Sequence, residues 1–250
     1  MRHQAAVDIE LCPRNAVMSS GRNSLRNLRR EAIFRPYAES VFVPKLGGQQ
    51  AFDSFYDQLT NQDKDLFLGA SAKYVLLLRD GDWHVTRDDC NPVIDYLTNS
   101  FKLVSLFSLI ESLSVEKHED FYEWLRQRED ATFAISDKST LQLMYEKYKL
   151  TYGSIRRCVK FFERMPAERQ VELRSGLTVR GKPVPEIKAV AEFLYNLRSK
   201  FVHECEFVLD IATVPVMSRH KNADTVTKMS IPCLMRGFED GLLAYFRRAT

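Results

Sequence analysis

The feature that most constrains the fold is the stretch from residue 93 to residue 115, where apolar residues recur at helical spacing on most sides of the chain. The stripe and the residues that broaden it are Ile94, Leu97, Phe101, Leu103, Val104, Leu106, Phe107, Leu109, Ile110 and Leu113. A helix with so little polar surface has to be covered on several sides, so this pattern predicts a central helix in a bundle. Pro92 suits its first turn, and the carboxylate of Glu111 lies inside it.

A second long helix is predicted to begin with Ser139 or Thr140 as its cap and to end before Pro166. Its apolar and aromatic stripe comprises Leu141, Tyr145, Tyr148, Tyr152, Ile155, Val159 and Phe162. The steps alternate between four and three residues, so one side chain per turn returns to the same side. We interpret this stripe as part of the core.

A third helix opens after Pro185 and carries apolar residues at steps of three and four up to Phe201. A fourth is predicted from 233 to 246, and the segment from 120 to 125 predicts a short turn of helix. These helices would cover the central one. The chain is therefore predicted to be mainly α-helical.

The first ninety residues look different from the rest. The stretch YVLLLRDGDWHV, residues 74 to 85, centres an Asp-Gly turn between two apolar arms, which indicates a short β-hairpin. It is the one convincing place for strand in the sequence. We therefore predict an N-terminal extension over residues 1–90 and a helical bundle over residues 91–250.

The N-terminal arm is rich in arginine. Arg22, Arg26, Arg29 and Arg30 could contact the phosphates of a nucleic acid. The alternative is a solvated surface, because Glu31 interrupts the run and no aromatic side chains are interleaved with it.

Composition narrows the class of protein. The 250 residues are 45% hydrophobic with a formal net charge of +3, which suits a globular chain and would accept an anionic partner. Five cysteines, an odd number without a C-x-x-C pair, favour reduced thiols. No apolar run reaches the roughly 18–20 residues of a membrane span. We expect a soluble, cytoplasmic protein without membrane contact.

The third helix has a polar side that faces away from its apolar stripe. Asn196, Ser199 and His203 lie on that polar side, whereas Arg198 flanks the stripe about 140° from His203. The two side chains can converge if the arginine stem curls around, or if the helix ends between them. A second subunit could also bring in the missing half.

Two segments of the sequence resemble a known family. LFSLIESL at 106–113 embeds an acidic residue in a helix, and EFLYNLRSKFVHE at 192–204 places an arginine five positions before a histidine at a helix end. In these features residues 92–246 resemble the HEPN superfamily, in particular its Apea-like branch. Its signature is an arginine, a polar residue, three to five further positions and a histidine.

The resemblance implies a helical bundle that forms a homodimer, with two arginine–histidine pairs in one cleft. In active members this cleft is a metal-independent RNA endonuclease, often in phage defence or toxin–antitoxin systems. On that pattern Arg198 and His203 are the catalytic pair, Ser199 is the polar residue after the arginine, and Glu111 is the acidic residue of the earlier helix. Other members bind without cutting, so a non-catalytic RNA-binding or protein-interaction module stays open as the alternative.

These residue types suit RNA cleavage. A histidine can exchange protons near neutrality, and a guanidinium can bind two oxygens of a phosphate at once. Glu111 is expected to pair with and orient Arg198, although the same pair would also lock two helices together in a purely structural bundle. Ser199 could add one neutral hydrogen bond, and Asn196 is the further residue expected to support the site. No cofactor is expected, and no metal, because His203 and Cys205 lack further ligands at suitable spacing.

Overall fold

The computed structural model describes residues 25–82, 91–113, 120–128, 137–212, 214–220 and 223–247. The protein is mainly α-helical, as predicted. The helices of the described ranges are α1 (Glu31–Leu46), α2 (Gln49–Asp57), α3 (Asn61–Tyr74), α4 (Asn91–Ser112), α5 (Phe121–Arg126), α6 (Lys138–Tyr152), α7 (Ser154–Glu163), α8 (Ala167–Ser175), α9 (Ile187–Glu204) and α10 (Ile231–Arg247). A 3₁₀ turn, Leu28–Arg30, precedes α1, and a π-helix, Val75–Arg79, continues α3.

Helix α4 lies at the centre of the C-terminal helices, as its apolar circumference predicted. Leu103, Leu106 and Phe107 are almost completely buried, and α4 packs against α7, α9 and α10. The Phe107 ring stacks on Phe162 of α7 at 6.3 Å and meets Tyr195 of α9 edge-on at 5.8 Å. The predicted third, fourth and short helices are confirmed as α9, α10 and α5.

The N-terminal helices join the same hydrophobic core. Phe67 of α3 contacts Phe42 of α1 with ring centroids 5.2 Å apart and Phe246 of α10 at 5.4 Å. Buried apolar residues form one cluster that runs from Ala38 to Phe246. The predicted boundary at residue 90 lies outside the described residues, and the division into 1–90 and 91–250 stays a prediction.

The predicted hairpin at 74–85 is wrong over the part that the structure describes. Tyr74 ends α3, and the π-helix carries the chain on to Arg79, where the Asp80 amide donates to the Val75 carbonyl at 2.8 Å. Val75 and Leu78 are buried. Val75 and Leu78 therefore face the core from a helical turn, whereas Leu76 and Leu77 are exposed. The turn satisfies its backbone without a second strand. Residues 83–85 lie outside the described ranges.

Strand occurs elsewhere, in a four-stranded antiparallel sheet of order β2-β1-β4-β3. Its strands are β1 (Leu177–Val179), β2 (Lys182–Pro183), β3 (Val216–His220) and β4 (Ala223–Thr227). Arg180 and Gly181 join β1 to β2 with φ of 51° and 75°. Two successive positive φ angles are typical of the tight hairpin turn that matches strand twist. The expectation that strand was confined to 74–85 is therefore wrong.

The second predicted helix is two helices. Gly153 separates α6 from α7 with φ of −62° and ψ of 125°, an extended conformation. The cap of α6 is Asp137, whose carboxylate accepts from the Ser139 and Thr140 amides, so neither of those residues is the cap. The aromatic stripe is core only in α7, where Phe162 is buried, whereas the Tyr145 side chain of α6 is 37% exposed.

A set of paired side chains fastens the N-terminal helices to α10, and we name it the α10 network: Lys45, Tyr74, Arg169, Glu239 and Asp240. The Lys45 ammonium lies 3.0 Å from Glu239 and 2.8 Å from Asp240. The Tyr74 hydroxyl donates to Glu239 at 2.6 Å, and Arg169 of α8 donates to Asp240 at 2.7 Å. Each member of the network thus has a polar partner within it.

None of the helices in the described ranges is both long and apolar enough to cross a lipid bilayer.

Candidate functional site

Helix α9 positions Arg198 against the central helix. Its Nη2 lies 3.8 Å from Oε2 of Glu111 on α4, and the two side chains are only 17% and 24% exposed. The predicted ion pair between Glu111 and Arg198 is thus present. The Arg198 guanidinium carbon also lies 5.4 Å from the centroid of the Tyr195 ring, one turn earlier on α9. Both contacts restrict the orientation of the guanidinium.

The pair leaves hydrogen-bonding capacity unused. Oε1 of Glu111 and Nε of Arg198 are buried, and neither has a hydrogen-bond partner within the described parts of the chain. A buried donor or acceptor without a partner costs about 1–3 kcal/mol. Such atoms occur where an ordered water or an ion completes the hydrogen bonding, where strain is stored, and at functional sites.

A second arginine shares this property, and sequence reasoning missed it. Arg157 of α7 has two buried guanidinium nitrogens, Nε and Nη2, without a hydrogen-bond partner among the described residues. Its neighbour Arg156 is exposed. A signal existed: Arg157 lies four residues before the buried Phe161, so helical phase places it at the edge of the apolar stripe.

The Cys158 thiol shows that these charges lie near one another. Burial raises the pKa of Cys158, the charge of Glu111 raises it further, and the charges of Arg198 and Arg157 lower it. All three ionic side chains are therefore close enough for their charges to act on the same buried sulfur. We name Glu111, Arg157 and Arg198 the α9 cluster. It holds two guanidinium groups and one carboxylate, an excess of positive charge that suits an anion such as phosphate.

His203 lies in the last turn of α9 and is exposed. The helix ends at Cys205, whose φ is 56° and whose amide donates to the Phe201 carbonyl at 3.1 Å. Asn196 and Ser199, on the same polar side of α9, are half-buried. The imidazole is therefore accessible to a substrate at the end of the helix.

The structure does not join Arg198 and His203 directly within one subunit. Five residues of α-helix separate them by about 140° around the axis. No hydrogen bond or ion pair connects the two side chains in the part of the chain that is described. Arg198 is turned towards Glu111, and a cleft shared with a second subunit, one of the arrangements that the sequence left open, stays a prediction.

The predicted arginines of the N-terminal arm lie in another part of the fold. Arg22 lies outside the described residues, whereas Arg26, Arg29 and Arg30 are exposed in and before the 3₁₀ turn. Asp65 of α3 holds this turn by accepting from the backbone amide of Leu28 at 2.8 Å. The turn packs on α1 and α3, whereas α9 packs mainly on α4, α7 and α8. The structure therefore does not bring these arginines into the α9 cluster.

A groove opens beside the cluster, between α6, α7 and α9, with a volume of about 830 Å³. We name it the tyrosine groove, because Tyr145, Tyr148 and Tyr195 line it together with four cationic and three carboxylate side chains. Tyr195 belongs to both the groove and the surroundings of Arg198. The prediction that both tyrosines belong to the core is wrong: Tyr145 is exposed and Tyr148 is half-buried.

Comparisons with known proteins add no family to this geometry: no protein-family model, no curated protein and no solved structure matches the chain. The resemblance to the HEPN superfamily therefore rests on the two sequence segments around Glu111 and Arg198, and it stays a prediction.

Proposed function

We propose that this chain is a metal-independent endoribonuclease of HEPN type that acts as a homodimer on RNA in the cytoplasm, in a phage-defence or toxin–antitoxin setting. The observation that supports it best is the state of Arg198. The guanidinium is oriented by Glu111, and the Arg198 side chain keeps 17% of its surface exposed. An oriented cation that is still partly exposed is what binding of a phosphodiester requires.

The chemistry assigns distinct roles to the two predicted catalytic residues. His203, as a neutral imidazole, removes the proton from a ribose 2′-hydroxyl, and the 2′-oxygen forms a bond to the adjacent phosphorus. Arg198 stabilises the additional negative charge on the phosphoryl oxygens. The bond to the 5′-oxygen breaks, and that oxygen takes a proton from an imidazolium. The products carry a 2′,3′-cyclic phosphate and a 5′-hydroxyl.

A dimer can supply the convergence that one subunit lacks. Exposed apolar side chains lie around the end of α9, with Val202, Phe207 and Leu209 each 44–48% exposed. Exposed apolar side chains near one end of a helix suit a protein interface. A two-fold axis at this end of α9 would place His203 of one subunit near Arg198 of the other, because the same surface meets itself across the axis.

The direct test is incubation of the purified protein with end-labelled RNA in the presence of a metal chelator. We expect cleavage with 2′,3′-cyclic phosphate ends, and a loss of about 10²- to 10⁴-fold in rate for His203→Ala. The matched control is Glu204→Ala, since Glu204 is exposed in the same helical turn. Equal cleavage by His203→Ala and the control would refute the catalytic assignment.

The second candidate is a non-catalytic RNA-binding or protein-interaction module. It is favoured by the separation of Arg198 and His203 within one subunit and by the exposed Arg26, Arg29 and Arg30. A salt-dependent affinity for RNA without cleavage would support this candidate. An unchanged affinity after replacement of those three arginines by alanine would exclude the arm as its contact surface.

A further inference from the structure

We infer that the tyrosine groove binds a single-stranded segment of RNA and directs it along α9 towards His203. This inference rests on the proposed endoribonuclease function and adds to it the surface that holds the substrate outside the reaction centre. It is carried by three properties of the groove: its alignment with His203, its aromatic side chains and its exposed cations.

The alignment follows from the phase of α9. Lys188, Glu192 and Tyr195 line the groove. At 100° per residue these three side chains, together with Ser199 and His203, fall within an arc of about 80°. The side chain of Tyr195 precedes that of His203 by about 12 Å along the helix axis. One face of α9 therefore runs from the groove to the histidine without a turn around the helix.

Aromatic side chains offer stacking surfaces at the α6 side of the groove. The rings of Tyr145 and Tyr148 lie nearly parallel, with an interplanar angle of 14° and centroids 6.4 Å apart. Phe121 of α5 supports both rings edge-on, at 5.3 Å from each. Unstacked bases bind such supported aromatic rings regardless of sequence. A base inside a duplex cannot do so, so the ligand is expected to be single-stranded.

Cations on α7 and α6 lie where the phosphates of such a strand would pass. Arg156 and Lys160 are exposed, line the groove and are one helical turn apart. Lys149 lies over the Tyr145 ring, with its ammonium 4.2 Å from the centroid. These positions combine a phosphate contact with a stacking surface, the arrangement that holds single strands in many binding channels.

The carboxylates of the groove moderate this charge. Glu146 accepts a hydrogen bond from Gln142 at 2.7 Å, and Glu192 lies 3.9 Å from the Lys188 ammonium. Glu163 is the third carboxylate, so four cations face three anions along the groove. The small net charge predicts that stacking contributes much of the affinity, and that the dependence on salt concentration is modest for a nucleic-acid site.

The inference is tested by fluorescence anisotropy with a short, labelled, single-stranded RNA that carries 2′-O-methyl groups and therefore cannot be cleaved. The groove variant combines Arg156→Glu with Lys160→Glu, two exposed positions whose change leaves the core intact. The control combines Lys73→Glu with Lys182→Glu, which are exposed on α3 and β2 and make the same change in net charge. We expect the groove variant to lose at least about tenfold in affinity and the control to lose no more than about threefold.

A second pair of variants separates stacking from charge. Tyr145→Ala removes one face of the stacked pair and is expected to weaken binding by about five- to 100-fold, whereas Tyr145→Phe keeps the ring and should bind nearly as wild type does. Equal affinities for the groove variant and the control would overturn the inference.

The outcomes distinguish this inference from the proposed function. If wild-type protein cleaves RNA but the groove variant binds as tightly as the control, the groove assignment fails and the nuclease stands. If the protein cleaves nothing but the groove variant binds weakly, the groove is a binding site without the reaction. In a cleavage assay the groove variant should have a higher KM than wild type with nearly the same kcat, whereas His203→Ala should have a lower kcat.

Discussion

The α10 network and the α9 cluster both lie between helices of the described residues, and they differ in how completely their charges are paired. In the α10 network, Lys45 contacts both Glu239 and Asp240, and Arg169 contacts Asp240 and Glu172. In the α9 cluster, Glu111 and Arg198 meet through one contact of 3.8 Å, and Arg157 has two buried nitrogens without a partner in the described residues.

We interpret the paired α10 network as a structural feature and the incompletely paired α9 cluster as a place where a ligand could bind. A paired network stabilises the folded state as long as all partners remain, because removal of one leaves another charge poorly solvated. Unpaired buried donors lower the stability of the protein unless water or a ligand supplies the missing acceptor. The same substitution, arginine to methionine, should therefore have different effects in the two places.

The largest effect is expected for Arg169→Met. The change leaves Asp240 and Glu172 without one of their cations, in a region where the side chains of Arg169 and Asp240 are only 19% and 18% exposed. We expect a loss of about 2–4 kcal/mol in the free energy of unfolding, measured by urea denaturation. Arg180→Met, in the exposed β1–β2 turn, is the control and should change it by less than about 0.5 kcal/mol. If Arg169→Met leaves the free energy of unfolding unchanged, the network does not stabilise the fold.

A smaller effect is expected for Tyr74→Phe. The hydroxyl donates to Glu239 at 2.6 Å, so its removal should cost about 1–2 kcal/mol at pH 7. Burial, and then the hydrogen bond to Glu239, raises the pKa of Tyr74 above its usual value.

The raised pKa fixes the sign of the pH dependence. Because the folded state holds the proton more tightly, the contribution of Tyr74 is present below the unfolded pKa of about 10 and is lost as the pH rises above it, by about 1.4 kcal/mol per pH unit. The wild type should therefore lose its advantage over Tyr74→Phe near pH 11 in urea titrations. A constant difference between the two proteins from pH 7 to pH 11 would contradict the raised pKa.

The smallest effect on stability is expected for Arg157→Met. Methionine keeps the length of the side chain and removes the unpaired donors, so the free energy of unfolding should stay within about 1 kcal/mol of wild type or rise. The affinity for RNA should fall, which the anisotropy assay measures. If Arg157→Met destabilises the protein as much as Arg169→Met does, the contrast between the two groups is wrong.

The helices that the sequence predicted well are those whose burial follows helical phase. The stripe of α4 predicted a central helix because almost all of its sides are apolar, and α9 and α10 each show an apolar face that meets a neighbour. The pairing of Glu111 with Arg198 was also predictable, since a carboxylate on an apolar helix requires a nearby cation.

The failures have separate physical causes. An apolar run such as 75–78 fits a helix or a strand equally well, and the Asp80-Gly81 signal outweighed the burial of Val75 and Leu78 that decides it. Strands β1 and β4 are paired through residues far apart in sequence, Leu177 with Thr227 for example, and such contacts leave no local pattern. Arg157 was not predicted, because whether a buried side chain has a partner depends on residues that are distant in the sequence.

The exposed Cys205 at the end of α9 is a position where a label could be attached close to the site. Cys205 is exposed, whereas Cys158 and Cys233 are buried, and burial raises the pKa of both buried thiols. With Cys12 and Cys90 replaced by serine, a thiol-reactive fluorophore would attach two residues from His203. If α9 ends meet across a two-fold axis, the two dyes in one assembly would approach each other, and their self-quenching would grow with protein concentration as subunits associate.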